Sequence, residues 1–345
     1  MTTLYLIRHA EAEGNVFRRL QGQYNSMITP NGRKQIAALE QRFADVPIDA
    51  VYASDLSRTC ITAGAIYLPK HLPLHREPRF RELGCGIWEN LPFGWLDHTD
   101  PERNHAFTHK PRDWYVEGSE RFCDYTARFL EAMGEIARCH DGQTVAIFSH
   151  GMVMRGVLQC LFFPEKDNLG HSENTAVTKL VYENGSYTLE YLNDDSHIPY
   201  EISTLGRQQW WRGGDHRDFN MWYRDPAAED AELLQKLDCA GEIVRISMVI
   251  DRPTGAVALK LLPDETAQLC TLALLPEHRG KGLAAQLLGE AVSIARKAGK
   301  RRLTAERMPD LPAAAHLLTD YGFTKNGMSL IPAADLEVFD EERSI

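Results

Sequence analysis

Short, continuously apolar runs alternate with amphipathic stretches along the first half of the chain. The runs LYLI (4–7), AVYAS (50–54) and VAIFSH (145–150) are typical of strands buried on both faces of a parallel sheet. Amphipathic helices are predicted between and after them, at 57–68, 119–138 and 151–162. Strands that alternate with helices predict a three-layer α/β/α domain.

Two further patterns refine this prediction. In TPNGRKQIAALEQRFA, Thr29 is a preferred capping residue and Pro30 suits the first helical position, so a helix should begin there. Farther along, the alternating stretches VTKLVYE and YTLEYL flank the turn Asn184-Gly185-Ser186. They predict a hairpin that closes one edge of the sheet.

The second half has a different order of elements. Its pattern predicts an antiparallel meander followed by one long helix, which is typical of an α+β domain. The predicted elements are helix 227–237, strands 243–250, 255–262 and 268–275, helix 282–298, strand 301–306 and helix 312–321.

The periodicity breaks between about 200 and 228, where four aromatic residues stand among balanced arginines and aspartates. At 345 residues the chain exceeds what one core usually supports. We therefore expect two domains, at 1–204 and 205–345, with these aromatics packing at the boundary. The aromatics are Trp210, Trp211, Trp222 and Tyr223.

Composition narrows the functional classes. The net charge of −10 argues against a nucleic-acid or membrane-surface partner. Seven scattered cysteines without a C-x-x-C spacing favour reduced thiols, and no signal peptide or long apolar run is found. We expect a cytoplasmic protein.

Charged residues end the apolar runs in a way that suggests chemistry. Arg8-His9 closes the first strand, at the carboxyl edge where parallel sheets bind ligands. An arginine there can bind a phosphate, and a neutral imidazole can attack phosphorus. The alternative is a strand-end salt bridge with a capping histidine.

Further stretches favour the phosphate site. Arg58 follows the second strand, and His150 ends the third at the start of a helix whose N-terminal amides favour anions. Glu82 precedes a glycine-rich turn, where burial would suit it to protonate a leaving alcohol. Asn15 and Gln21-Gly22 add neutral donors.

Over residues 1 to about 200 the chain resembles the histidine phosphatase superfamily, also called the phosphoglycerate-mutase-like family. The motifs that carry the resemblance are Arg8-His9-Ala10, Asn15, ITPNG, SDLSRT, RELGCGIWE and SHG, in the family's order and spacing. The resemblance implies that His9 is the nucleophile and Glu82 the general acid. It also implies that Arg8, Arg58 and His150 surround the phosphoryl group and that Asn15 contacts a phosphate oxygen.

Details within this resemblance remain open at the sequence level. Ala10 replaces a commoner glycine, a small change that should preserve activity. Residues 91–117 should form a cap, whose aromatics either bind an organic leaving group or pack the cap itself. His105 and His109, four apart, are a weak metal hypothesis, and we expect no metal requirement. Only 67 residues separate Glu82 from His150, which favours hydrolysis of a small phosphomonoester over mutase-type phosphotransfer.

A second glycine-rich turn, in LALLPEHRGKGLAAQLL, follows a strand and opens the long helix. Residues 279–284 offer backbone amides to an anion, and this stretch resembles the GNAT acyltransferase superfamily over about 205–335. The resemblance implies that acetyl-CoA places its pyrophosphate on this turn and that an amine is the acceptor. The implied cofactor-binding residues are Leu274, Arg279, Gly280, Lys281, Gly282, Leu283 and Ala284.

The positions where that family often carries a tyrosine and an asparagine are here Leu318 and Leu311. Leucine cannot protonate a thiolate, although a water or Tyr321 is an alternative donor. The sequence thus predicts a phosphatase fused to an acetyl-CoA-dependent N-acetyltransferase domain. One alternative is a CoA-sensing second domain without chemistry, and another is a non-enzymatic interaction protein.

Overall fold

A computed structural model describes residues 1–208, 216–305, 312–324 and 327–330. The chain divides into two compact units whose boundaries are discontinuous in sequence. The first unit comprises Met1–Ala12, Gln21–Glu89 and Pro101–Arg207. The second comprises Glu13–Leu20, Asn90–Asp100 and the described chain from Gln208 onward.

The strands of the described chain are numbered in order. They are β1 (Thr2–Arg8), β2 (Ala50–Ala53), β3 (Leu74–Arg76), β4 (Thr144–Ser149), β5 (Val177–Glu183), β6 (Ser186–Asp194), β7 (Met221–Arg224), β8 (Ile243–Val249), β9 (Arg252–Leu261), β10 (Thr266–Leu274), β11 (Arg302–Ala305) and β12 (Met328–Ser329).

The helices are numbered in the same way. They are α1 (Glu13–Val16), α2 (Pro30–Phe43), α3 (Ser57–Tyr67), α4 (Phe93–Thr99), α5 (Pro101–His109), α6 (Phe122–Cys139), α7 (Gly151–Phe162), α8 (Thr204–Arg207), α9 (Ala231–Lys236), α10 (Leu283–Lys297) and α11 (Pro312–Asp320).

The sheet of the first unit has the order β3-β2-β4-β1-β5-β6. The first four strands in this order are mutually parallel, whereas β5 is antiparallel to β1 and β6 is antiparallel to β5. Arg8 pairs with Ser149, so β1 and β4 end side by side. This register places the two residues that follow, His9 and His150, at the same edge of the sheet.

The predicted α/β/α architecture is confirmed, and so are its local signals. Thr29 caps α2 by accepting a hydrogen bond from the Gly32 amide at 2.9 Å. The predicted hairpin is β5–β6, and its turn residues Asn184 and Gly185 both have positive φ, as a tight turn between antiparallel strands requires. The sequence pattern missed β3, which has only three residues.

The second unit contains a six-stranded sheet of order β12-β11-β10-β9-β8-β7. Strand β10 is antiparallel to β9 but parallel to β11, and its register with β9 shifts between Leu269 and Thr271. Helix α10 packs on this sheet through an apolar face that includes Leu287 and Leu288, both fully buried. The predicted α+β domain with one long helix is therefore confirmed.

Two short segments from the N-terminal half are part of the second unit. Phe17 belongs to its hydrophobic core, where the ring lies against Gly289 of α10. In α4, Trp95 packs on Trp222 at 6.0 Å between ring centroids, and His98 stacks on the same indole at 3.9 Å. The predicted cap over 91–117 is thus divided, because Asn90–Asp100 groups with the second unit.

Two of the predicted boundary aromatics, Trp222 and Tyr223, form part of β7 and are buried within the second unit. Trp210 and Trp211 lie outside the described residues. Within the described part of the chain, no helix is both long and apolar enough to cross a bilayer.

Helix α7, which begins directly after His150, depends on a glycine for its packing. A Cβ at Gly156 would lie 2.7 Å from the Tyr125 ring, whereas one at Gly134 would lie 3.3 Å from the flexible end of Arg138 and 3.6 Å from the Tyr187 hydroxyl. We expect Gly156→Ala to destabilise the protein by about 1–3 kcal/mol through overpacking. Gly134→Ala should be neutral or stabilise by about 0.5–1 kcal/mol. Urea unfolding of both variants, which change the same first unit, tests this contrast.

Candidate active site

His9 follows β1 and is 2% exposed. Its Nδ1 lies 2.7 Å from the carbonyl oxygen of Ala10, which can only accept a hydrogen bond, so Nδ1 carries the ring proton. Burial, and then the charges of Arg58 and Arg8, lower the pKa of His9 well below 6.5. At neutral pH the ring is therefore neutral, and Nε2 keeps a lone pair that can act as a nucleophile.

Arg8 is half-buried beside this imidazole. Its Nη1 donates to the carbonyl oxygen of Ser172, whereas its buried Nε finds no hydrogen-bond partner among the described residues. A Cβ on Gly151 would lie 3.2 Å from that Nε, so the glycine leaves room for the guanidinium. A buried donor of this kind is satisfied by an anion such as a phosphate oxygen.

Arg58 is fully buried and fixes His150. Its Nε donates to His150 Nδ1 at 3.2 Å, while its two terminal nitrogens donate to the carbonyl oxygens of Tyr24 and Gly22 at 2.9 and 2.7 Å. Burial lowers the pKa of Arg58 to about 10, with Glu82 opposing the fall, so the guanidinium stays charged at neutral pH.

The bond from Arg58 determines the tautomer of His150. Because Nδ1 accepts that bond, Nε2 carries the proton and donates to Ser54 Oγ at 2.9 Å. Burial and the neighbouring Arg58 lower the pKa of His150 well below 6.5. Its ring lies 5.3 Å from that of His9, so both rings occupy one site as neutral groups.

Glu82 lies at the amino terminus of α7. Its two carboxylate oxygens accept from the amides of Met152 and Val153 at 3.0 and 2.8 Å, and one also accepts from Leu83. The amides that the sequence assigns to a bound anion are thus taken by a protein carboxylate. Positive charge for a substrate phosphate must come from the arginines instead.

The predicted neutral donors have different positions. Gln21 and Gly22 form a turn in which the Gly22 carbonyl oxygen, not its amide, contacts Arg58. The Gln21 side chain accepts from Ser26. Asn15 lies in α1 of the second unit, where its carbonyl oxygen accepts from Gln208 at 3.0 Å. Substrate contacts by these residues remain predictions.

Sequence reasoning missed a turn that supports the Arg8-His9 pair. Asn174 Nδ2 donates to the His9 carbonyl oxygen at 2.8 Å, and the charge of Glu173 limits the fall in the pKa of Arg8 that burial causes. These residues immediately precede β5, which is antiparallel to β1. Because β5 is antiparallel to β1, the start of β5 lies beside the carboxyl end of β1. A prediction that the β5–β6 hairpin pairs with β1 would therefore have brought Glu173 and Asn174 to that end.

A second missed residue supports Glu82. Arg128, in the middle of α6, donates to the backbone carbonyl oxygens of Arg81 and Glu82 at 2.8 and 2.9 Å, and it pairs with Glu120. No local sequence signal indicates this role, because the contact joins residues far apart in the chain.

The aromatic residues predicted in the cap and the pair His105 and His109 have contacts of their own. Phe107 and Trp114 are buried and pack on each other and on Trp88, so they form part of a core and do not line a leaving-group site. His105 and His109 stack at 4.3 Å between ring centroids. Among the described residues they belong to no group of three or more side chains suited to a metal ion.

In the second unit the glycine-rich turn precedes α10 as predicted. Gly280 and Gly282 have φ values of +74° and +76°, and a Cβ on either would meet nothing within 4 Å. Gly282 is the residue before α10, and no side chain caps the helix there. Arg279 Nε donates to the Leu274 carbonyl oxygen at 3.0 Å and so joins the turn to the end of β10.

The residues around this turn differ in exposure. Lys281 is exposed, Ala284 is half-buried and Leu283 is buried in the core. Leu318 is also a core residue, 2% exposed, so it offers no group to an acceptor site. The Tyr321 ring packs 5.5 Å from that of Phe17, and Leu311 lies outside the described residues.

The buried imidazoles make stability depend on pH. The unfolded chain binds protons as the pH falls through 6.5, whereas His9 and His150 in the folded chain do not, so stability present above pH 6.5 is lost below it. Each imidazole accounts for about 1.5 kcal/mol of loss between pH 6.5 and 5. Urea unfolding of His9→Asn should show that much less loss than the wild type. His71→Asn, at an exposed histidine, is the control, and equal losses in wild type and His9→Asn would contradict the assignment of a neutral ring to His9.

Comparison with known families matches residues 4–195 to the histidine phosphatase superfamily (branch 1) and residues 189–323 to the acetyltransferase (GNAT) family. Phosphoserine phosphatase 1 of Hydrogenobacter thermophilus is 31% identical over 46% of this chain and 74% of its own length. The metal-independent phosphoserine phosphatase of Arabidopsis thaliana is 29% identical over 62% of this chain and 89% of its own.

Solved structures agree with this assignment. Bacillus stearothermophilus YhfR superposes with a TM-score of 0.56 and 32% identity, covering 58% of this chain and all of its own. A phosphoglycerate mutase from Bacillus anthracis superposes with a TM-score of 0.50 and 26% identity, covering 57% and 94%. The chain belongs to the histidine phosphatase superfamily and carries a GNAT acetyltransferase domain in its second half.

Proposed function

We propose that the chain is a phosphomonoester hydrolase that forms a phosphohistidine on His9 and is fused to an acetyl-CoA-dependent N-acetyltransferase domain. The observation that carries the hydrolase is the tautomer of His9, whose Nδ1 proton is bound by the Ala10 carbonyl oxygen. That bond orients the ring and leaves the nucleophilic lone pair on Nε2. As sequence domains we propose 1–204 and 205–345.

In the first step the lone pair of His9 Nε2 forms a bond to phosphorus, and the bond from phosphorus to the ester oxygen breaks. The departing alkoxide takes a proton from the carboxyl group of Glu82, which carries that proton once the phosphate is bound because the neighbouring anion disfavours the ionised form. The three backbone amides around Glu82 hold the carboxyl group in place and stabilise the carboxylate that donation leaves behind.

In the second step water attacks phosphorus and the bond to His9 breaks, so that inorganic phosphate is released. The carboxylate of Glu82 accepts the proton that water loses, which restores the starting state. Arg58 and Arg8 stabilise the negative charge that develops on the phosphoryl oxygens in both steps. The Nε of Arg8, which is buried and unpartnered among the described residues, supports this role.

The substrate class that we propose is a small phosphomonoester. Two relatives are named phosphoserine phosphatases, so O-phosphoserine is the first compound to test. The seven cysteines are all free thiols, which supports a reducing compartment such as the cytoplasm.

The test is a screen of phosphomonoesters, including O-phosphoserine and 3-phosphoglycerate, for release of inorganic phosphate. Denaturation in alkaline detergent during turnover of a 32P-labelled ester should trap a phosphoenzyme whose label is stable to base and lost in acid. His9→Asn should abolish both the trapped label and turnover. Transfer of phosphate between glycerate positions without release would favour a mutase, and full turnover by His9→Asn would exclude the phosphohistidine.

Glu82→Gln should separate substrates by leaving group. An alkoxide needs a proton as it departs, whereas an aryl oxide leaves without much help. We expect turnover of alkyl phosphates to fall by about a hundredfold or more, with a much smaller loss for p-nitrophenyl phosphate. Equal losses in kcat for both ester types would mean that Glu82 only supports α7.

For the second domain we propose acetyl-CoA as the cofactor and an amine as the acceptor. The open, positive-φ glycines 280 and 282 and the helix terminus without a side-chain cap fit a pyrophosphate on the amides of Leu283 and Ala284. When bound, acetyl-CoA supplies an activated acyl group. Leu318 is buried in the core and has no proton to donate to the CoA thiolate. We therefore expect measurable CoA binding but weak acetyl transfer.

Gly282→Glu should remove CoA binding, because the new carboxylate opposes the pyrophosphate. Gly299→Glu is the matched control: Gly299 also has positive φ and open space, but it lies after the opposite end of α10. CoA at a hundredfold excess over Kd should stabilise the wild type and Gly299→Glu by about 2.7 kcal/mol in thermal unfolding. Gly282→Glu should show no shift. Absence of a shift in all three proteins at millimolar CoA would exclude the cofactor site.

A further inference from the structure

The turn Ser172–Thr175 contacts both members of the Arg8-His9 pair. The Ser172 carbonyl oxygen accepts from Arg8 Nη1, and Asn174 Nδ2 donates to the His9 carbonyl oxygen at 2.8 Å. The Thr175 amide reaches the same His9 oxygen at 3.4 Å. One short turn therefore fixes the phosphate-binding arginine and the backbone of the nucleophile together.

This turn has a conformation that its own sequence does not favour. Thr175 has a φ of +61°, in the left-handed region that β-branched residues rarely adopt. Such a backbone persists only where its surroundings over-determine it, and it is often found beside functional sites. The turn therefore depends on contacts from outside its own sequence.

Glu173 connects the turn to the segment through which the chain leaves the first unit. Its carboxylate accepts from the amides of Thr204 and Leu205 at 3.2 and 3.0 Å and from Ser203 Oγ at 2.5 Å. It also accepts from the Asn174 amide at 2.7 Å, within the turn itself. Glu173 is 5% exposed, so these bonds are shielded from water.

A second buried carboxylate, that of Glu11, holds the same segment. Glu11, two residues after His9, accepts from Thr204 Oγ1 at 2.8 Å. Gln35 accepts from the Glu11 amide at 2.7 Å and donates to Thr204 Oγ1 at 2.9 Å. Thr204 thus takes part in hydrogen bonds with Glu173, in the turn that contacts His9, and with Glu11, two residues after His9 in the chain.

We propose that the segment 203–205 positions Arg8 and His9 through two buried carboxylates: Glu173, in the turn that contacts both residues, and Glu11, two residues after His9. The inference rests on the proposed phosphatase activity for its kinetic test. It makes the reaction depend on the short segment that leads from the phosphatase domain toward the second half of the chain. Any force that moves this segment would alter the geometry of the nucleophile.

The test uses Thr204 in the full chain. Thr204→Val keeps the side-chain volume but removes the hydroxyl bonds to Glu11 and Gln35, and Thr204→Ser restores them. Thr2→Val is the matched control, because buried Thr2 also donates to carbonyl oxygens, those of Ala137 and His140, but lies at the opposite end of β1.

We expect Thr204→Val and Glu173→Gln to lower kcat for the phosphomonoester by about tenfold or more, because small displacements of a nucleophile have large effects on rate. Thr204→Ser and Thr2→Val should stay within about threefold of wild type. Nitrogen NMR of labelled histidine gives a readout independent of turnover: the His9 signals should change in Thr204→Val but not in Thr2→Val.

The outcomes separate this inference from the proposed function. If the wild type turns over esters and both Thr204→Val and Glu173→Gln match Thr2→Val in kcat and His9 signals, the positioning role is wrong. If the wild type is inactive on every ester but His9 responds to Thr204→Val, the positioning role stands and the proposed function fails. If Glu173→Gln does not fold, the Thr204 pair alone decides.

Discussion

The first unit depends on keeping two imidazoles neutral next to two buried guanidinium groups. A site that binds phosphate needs positive charge, and its nucleophile needs an unprotonated ring. Burial and the arginines that we propose bind the anion also lower the pKa of His9 and His150, so one arrangement meets both needs of the proposed reaction. Hydrogen bonds then select the tautomers, with Ala10 fixing one ring and Arg58 the other.

The carboxylate at the start of α7 completes this balance of charge. Glu82 takes the amides of Met152 and Val153 and offsets the positive charge of the arginines, as their pKa values reflect. The sequence pattern assigns the amino terminus of α7 to a bound anion. In the structure this terminus binds the side chain of Glu82, which we propose as the acid. The helix therefore fixes both His150, which precedes it, and the carboxylate of Glu82, which accepts from the amides of its first turn.

Much of this could be predicted from the sequence because the signals are local. Apolar runs that end on Arg8-His9 and His150 indicate parallel strands, and parallel strands place their ends together. The tautomers, the contacts of Glu82 and the turn at Glu173 could not be predicted in this way, since each depends on a partner far away in the chain. Leu318 shows the converse: a family position suggests chemistry, but only packing shows that the side chain is in the core.

The assignment of Glu13–Leu20 and Asn90–Asp100 to the second unit has a consequence for biosynthesis. Phe17 is made early, but Gly289, against which it packs, is added 272 residues later. At typical rates of translation the ribosome needs roughly 15 to 55 seconds to cover that distance. During this time the nascent chain exposes an aromatic side chain whose partner does not yet exist. The segment Glu13–Leu20, which follows β1, therefore reaches its packed position only after the second half of the chain has been synthesised.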